Sequence, residues 1–220
     1  MYLKWQEQTI GDFSAAALSN LYAEGWLFSR AGKGAMYQTR SLRINLAQFE
    51  LSSENRRILR KTENLALDLC PLPYAEYHWS IGKLGKDFYT SKFGEGTFSA
   101  NKIKELFTDP AKNNFNRLLV YRLGGKPVGY CVALETDTLL HYSYPFYDLA
   151  IDLPNLGLGM MLQTILEAQK RGKQYVYLGS ATRPSDTYKL QFGGLEWFNG
   201  TKWNTDQEEL KKILSLSRQN

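Results

Sequence analysis

The stretch LPNLGLGMMLQTILEAQKRGKQYVYLGS, residues 153–180, decides how this chain is read. Two glycines, Gly157 and Gly159, come ahead of apolar residues at helical spacing: Met161, Leu162, Ile165, Leu166 and Ala168. The spacing predicts a helix over about Met160 to Arg171, then an aromatic strand, "YVYLGS". Unpaired amides and the positive dipole end make a helix start an anion site, and glycines let a phosphate approach the backbone. Helix-to-strand packing alone uses the same residues, so their surroundings must decide.

Upstream, "RLLVYRLGGKPVGYCVALETDTLLHYSYPFY", residues 117–147, reads as three apolar-aromatic strands joined by the short turns "GGKP" and "ETDT". Downstream, "RPSDTYKLQ" reads as a short helix, "GLEWFNGTKW" as a hairpin and "DQEELKKILSLS" as a C-terminal helix. The order of an antiparallel meander, then loop, helix and strand, is an α+β plan. Nearer the start, Ile10 to Glu24 reads as a helix capped by Asp12 or Ser14, and Trp26 to Phe49 as β-rich. Ser52 and Ser53 open a further helix, and Tyr74 to Phe107 is helical in pieces. The prolines of "DLCPLPYAEY" mark a boundary between an N-terminal lobe, 1–72, and a larger C-terminal domain, 73–220.

The chain has 220 residues, 43% of them hydrophobic, enough for one good core. No apolar run reaches the roughly 20 residues of a membrane helix, and "MYLKWQEQTIGDF" has no signal-type apolar core. A soluble cytoplasmic protein, without a membrane partner, is the expectation. Two cysteines, Cys70 and Cys131, and two histidines, His78 and His141, leave no metal-ligand spacing, so neither a metal nor a cofactor is expected. The net charge of +5, from 27 basic and 22 acidic residues, is compatible with a polyanionic partner.

The segment "PNLGLG", residues 154–159, resembles the Q/R-x-x-G-x-G/A loop of the GNAT acyltransferase superfamily, with Pro154 in place of the usual Gln or Arg. A more specific likeness runs along the chain. "YPFYD" (144–148), "NLG" (155–157), "YVYLG" (175–179) and "YKLQFGGLE" (188–196) resemble, in order, elements of the arginyl/leucyl-tRNA–protein transferases. "LYAEGWLFSRAGKGAMYQ" (21–38) and "FELSSENRRILRKTENL" (49–65) are similar to that family's G-W-R-R-S-G and Q-R-R-V-L-R-R-N segments. Departures are Asn155 for Ser, Gly194 for Pro, and Ser180-Ala181 where Tyr-Trp is usual. The family's cysteine cluster, linked to iron–sulfur binding, has no counterpart in "GKGAMYQTRSLRINL".

The resemblance implies a GNAT-like acyl-CoA N-acyltransferase fold, an antiparallel or mixed central sheet flanked by helices. It implies transfer of an amino acid, arginine or leucine, from aminoacyl-tRNA to the α-amine of a protein or peptide. The chemistry needs an aligned amine, a proton acceptor and oxyanion stabilisation, because the ester is already activated. On this reading Asp148 orients or deprotonates the amine, Tyr188 protonates the departing ribose oxygen, and Tyr144 joins them as a catalytic candidate. Gly157, Leu158, Gly159, Tyr147, Tyr177, Ser180 and Lys189 are candidates to bind the donor, with Glu196 at the edge. Arg56, Arg57, Arg60 and Lys61 share a helix face suited to the tRNA acceptor stem, which Lys83, Lys86 and Lys92 would extend. Two other readings stay open: an N-acetyltransferase using acetyl-CoA, and a tRNA- or peptide-binding module without chemistry.

Overall fold

In a computed structural model, residues 3–216 are described. An eight-stranded mixed sheet organises them. Its strands are β4 (Ser41–Asn45), β5 (Leu65–Pro71), β6 (Arg117–Leu123), β7 (Lys126–Glu135), β8 (Leu139–Tyr147), β9 (Tyr175–Ser180), β10 (Leu195–Phe198) and β11 (Trp203–Asn204). Their order is β11-β10-β4-β9-β8-β7-β6-β5. All neighbours are antiparallel except β8 and β9, which run parallel and need a crossover. A smaller sheet is formed by β1 (Gln6–Thr9), β2 (Trp26–Phe28) and β3 (Ala35–Gln38), in the order β1-β3-β2. The helices are α1 (Ala15–Ala23), α2 (Ser53–Lys61), α3 (Trp79–Phe93), α4 (Ala100–Thr108), α5 (Leu156–Lys170) and α6 (Gln207–Leu216), with a 3-10 segment at Pro184–Gln191.

The expected α+β plan, a mixed central sheet flanked by helices, is the one observed. The meander is β6-β7-β8, and Gly124 and Gly125 take positive φ (56° and 79°) in its first turn. Alternation along β6 sends Leu119 and Tyr121 to one core and Leu118 and Val120 to the other. The first core is closed by α2, α5 and α6 through Ile58, Met160, Ile165 and Leu210. The second is closed by α1, α3, α4 and the small sheet through Tyr22, Phe28, Ile81 and Ile103. Both faces of the sheet are therefore covered.

Three details differ from the sequence reading. The first helix begins at Ala15, after β1: the Ser14 hydroxyl accepts the Ala17 amide, and the Asp12 carboxylate accepts the Ser14 amide. The residues named as caps thus set its start. The lobe boundary at residues 72–73 falls inside one sheet. Both β4 and β5 precede it, yet β4 pairs with β9 and β10 and β5 pairs with β6. The helix expected from Met160 begins at Leu156, because Asn155 takes a left-handed conformation (φ 68°) and Leu156 is already buried one turn before Met160.

Candidate functional site: a cleft between two parted strands

The pairing of β8 and β9 is short. Leu139, Leu140 and His141 face Tyr175, Val176 and Tyr177, and no further rung follows. Beyond it each strand stays attached to its other neighbour, β8 to β7 and β9 to β4. Both carry an extra residue just past the last shared rung. On β8 the register slips around Tyr144, a non-glycine residue at φ 51°. On β9 it slips around Gly179, at φ 78°. Bulges bend and twist the strand that bears them. Here they accompany the parting of β8 from β9, and a cavity of about 1170 Å3 opens in the gap.

One wall is the first turn of α5. The Leu156 amide donates to the Leu153 carbonyl (3.1 Å) and the Gly159 amide to the Asn155 carbonyl (2.8 Å). Asn155 offers no side-chain cap. Among the described residues, the amides of Gly157 and Leu158 have no acceptor. Both residues line the cavity. The two glycines have different jobs. A Cβ on Gly157 would stand 3.0 Å from the Tyr147 ring, at the cavity wall. A Cβ on Gly159 would stand 2.7 Å from the Thr62 side chain, so this glycine lets the end of α2 pack on α5. Gly159 serves this packing and is not among the residues that line the cavity.

The opposite wall holds a buried cation. Lys189 is 9% exposed, and its Nζ donates to the Ser180 carbonyl at 2.9 Å. Burial lowers the Lys189 pKa, and the Asp186 charge works against that shift. Asp186 is buried too, and accepts the amides of Thr182 and Arg183 at 2.9 Å each. Burial acts to raise its pKa, but Lys189 and those amides leave it lowered. Six Lys or Arg side chains line the cavity (4, 30, 92, 102, 183 and 189), against the single carboxylate of Asp186.

His141, on the last shared rung, also lines the cavity. It is 2% exposed, and its Nδ1 lies 2.9 Å from the buried Tyr22 hydroxyl. Burial, helped by the Lys189 charge, lowers its pKa to about 3. Sequence reasoning did not choose this residue. Its only sequence signal is its rarity, one of two histidines in the chain.

Of the candidates from the sequence, Tyr144, Tyr147, Gly157, Leu158, Ser180, Tyr188 and Lys189 meet at this cavity. The Tyr144 hydroxyl accepts the Arg30 amide (3.0 Å), and Tyr188 is 46% exposed at the rim. Asp148 is not among the lining residues, and its carboxylate accepts the Ala150 amide at 2.9 Å in its own turn. Tyr177 is 1% exposed, its pKa pushed up to about 12 by burial, and it faces Arg43 behind the cleft. Glu196 is paired with Arg43 Nε at 2.6 Å, and the Arg43 guanidinium lies 4.0 Å from the Tyr175 ring and 3.9 Å from the Trp203 ring. Arg56, Arg60 and Lys61 stand exposed on α2, while Arg57 pairs with Glu54. Lys92 reaches the cavity; Lys83 pairs with Asp87 instead.

Residues 74–199 match the family model described as arginine-tRNA-protein transferase, C terminus. The chain belongs to this family. An aspartate/glutamate leucyltransferase of Alkalilimnicola ehrlichii is 28% identical over 213 residues, covering 91% of this chain and 87% of that protein. Another, from Chromohalobacter salexigens, is 26% identical over 212 residues, covering 92% and 83%. The solved structure of L-PGS from Bacillus licheniformis shares the fold, with a TM-score of 0.50 at 11% identity, covering 91% of this chain and 70% of that one. Membership makes this arginine-tRNA-protein transferase relative an aminoacyltransferase, which moves amino acids from tRNA onto proteins. The family's iron–sulfur link does not fit the donors present: the two cysteines lie on β5, half-buried, and on β7, buried. Among the described residues, no helix is long and apolar enough to cross a membrane.

Proposed function

We propose that the chain takes leucine from leucyl-tRNA and passes it to the α-amine of a protein that begins with aspartate or glutamate. The observation that carries this reading is the charge balance of the cleft between β8 and β9. Its walls hold six cationic side chains and one carboxylate; Lys4 and Lys102 pair with Glu7 and Glu105 outside the lining, and Asp186 is occupied by Arg183 and two amides, which leaves Arg30, Lys92 and Lys189 without a carboxylate partner among the described residues. An arginyl side chain entering there would find no uncommitted carboxylate among the described lining residues. A leucyl side chain would find Leu153, Leu158 and Met161 beside the α5 wall. The acidic side chain of the acceptor would find Arg30 and Lys92. The names of the relatives, aspartate/glutamate leucyltransferases, agree with that choice.

In this scheme the open amides of Gly157 and Leu158 hold the phosphate of the terminal nucleotide. The amine nitrogen attacks the ester carbonyl carbon, a C–N bond forms, and the C–O bond to the ribose 3′ oxygen breaks. The proton lost by nitrogen ends on that oxygen, with the Tyr188 hydroxyl at the rim as its carrier. Arg56, Arg60 and Lys61 neutralise backbone phosphates of the acceptor stem. The acceptor amine and the tRNA ester suffice for this reaction, with no further cofactor.

The test is label transfer. Radiolabelled leucyl-tRNA and arginyl-tRNA are each incubated with the protein and with peptides beginning with Asp, Glu, Arg or Lys, beside a parallel reaction with labelled acetyl-CoA. Label passing from leucyl-tRNA to the Asp and Glu peptides is the expected result. Label from arginyl-tRNA alone, or from acetyl-CoA alone, contradicts the proposal.

A further inference from the structure

The apex of the cleft carries a residue with no role in the scheme above. His141 is the last residue of β8 to share a rung with β9, lines the cavity, and meets Tyr22 behind it. We propose that His141 donates a hydrogen bond to the carbonyl oxygen of the aminoacyl ester, and that Tyr22 fixes it in the tautomer that can do so. This rests on the aminoacyl-transfer reading of the cleft.

The tautomer follows from the needs of Tyr22. That phenol is fully buried (0% exposed), on α1, among Phe28, Tyr177 and His141. Buried hydroxyl protons need an acceptor. Nδ1 of His141, 2.9 Å away, is the acceptor within reach among the described residues. With Tyr22 donating, Nδ1 is bare and the imidazole proton sits on Nε2. The ring itself is held by Tyr22 at 5.6 Å on an edge and by Phe115 at 6.0 Å.

The imidazole also stays neutral. Burial and the Lys189 charge both oppose a second proton, and the pKa falls to about 3. A neutral Nε2–H does not act as a base at that nitrogen. It is a donor that needs no reorganisation when charge develops on the carbonyl oxygen during attack, which is the requirement for oxyanion stabilisation. Lys189 adds positive potential from the β9 side, tied to the Ser180 carbonyl. The two strands that part at this rung thus bring one neutral donor and one cation to the same apex, where the ester must lie if the amides of Gly157 and Leu158 hold the phosphate.

The experiment has a spectroscopic arm and a kinetic arm. The chain contains two histidines, so a long-range proton–nitrogen imidazole spectrum of 15N-labelled protein shows two rings, and His141→Gln assigns them. The expected spectrum at pH 7 has His141 protonated on Nε2 and bare on Nδ1, with no titration down to pH 5. A proton on Nδ1, or titration near 6.5, overturns the proposal. In the kinetic arm, His141→Ala lowers kcat about 100-fold with KM for charged tRNA unchanged. His141→Gln, which restores an N–H donor, recovers about tenfold of that loss, and Tyr22→Phe, which frees the tautomer, loses about tenfold. Equal activity in His141→Ala and wild type, or in the Gln and Ala variants, overturns the donor role even where folding is intact. Wild-type protein that transfers no label from tRNA defeats the reading of the cleft itself, whereas wild-type transfer with an unaffected Ala variant defeats only this inference.

Discussion

The two ends of β8 and β9 make different uses of the same pair of strands. At the closed end, Leu139, Leu140 and His141 zip against Tyr175, Val176 and Tyr177, and Leu140 and Val176 are buried in the core beneath α5. At the open end, both strands bulge and separate, and the gap collects an uncapped helix start, a buried lysine and further cationic side chains. The difference shows what a missing rung does. Backbone groups that would be spent on each other stay available, and the side chains nearest them face a cavity instead of a neighbour. The closed end supplies the rigidity that positions the open end.

That contrast can be broken most sharply at Gly157. Gly157→Val places a branched side chain against the Tyr147 ring and over the two open amides. Transfer should fall about 100-fold or more, as expected for a misplaced substrate, with a melting temperature close to wild type. Radiolabel transfer and calorimetry check both. An active Gly157→Val would remove the first turn of α5 from the donor site.

Gly159 tests the other half of the comparison. Gly159→Ala pushes a methyl group into Thr62 and should cost about 1–3 kcal/mol of stability through overpacking of α2 on α5. Transfer measured below the unfolding range should be retained. Denaturant unfolding reads the first quantity; a stable variant that has lost transfer would return Gly159 to the donor site.

Acid reads the closed end. His141 has a folded pKa near 3, below the ordinary 6.5, so it is neutral in the fold and charges on unfolding. Below pH 6.5 the unfolded chain binds the extra proton. Stability from this group is therefore present above 6.5 and declines by roughly 1.4 kcal/mol per pH unit as pH falls towards 3. Asp186 and Glu135, both held below their ordinary values, add losses only at the lower end of that range. Denaturant midpoints between pH 6.5 and 4.5 should show that slope, and His141→Gln should flatten it. An unchanged slope in the variant would mean that His141 is not buried and neutral.

The smallest effect belongs outside the cleft. Arg56→Glu combined with Arg60→Glu should weaken tRNA binding and reduce the slope of log affinity against log salt by about two. A filter-binding titration at several salt concentrations measures it. An unaltered slope would place the acceptor stem elsewhere on the surface.

Much of this arrangement was legible in the sequence, for identifiable reasons. The meander announced itself through alternation and paired turn glycines, and α2 through Ser52, whose hydroxyl accepts the Asn55 amide as its cap. Such signals are local. The insertion of β4 between β9 and β10 was not legible, because its partners lie at least 130 residues away in sequence. The same distance hid His141, whose partner Tyr22 is 119 residues upstream. Asn155 starts α5 from a left-handed conformation that its residue type permits but does not require, and so the helix start was placed too late. The "YPFYD" motif does not show on its own that the Asp148 carboxylate accepts the Ala150 amide in the turn after β8, outside the cavity lining.

The central claim is that the cleft between the parted ends of β8 and β9 receives the aminoacyl end of the tRNA. A crystal structure with a non-hydrolysable 3′-leucylamino-adenosine tests it most directly. The account predicts the leucyl group and its amide carbonyl between His141 and Lys189, with the nucleotide against Gly157 and Leu158. Density for the analogue at another surface, with the gap closed by side chains, would contradict it.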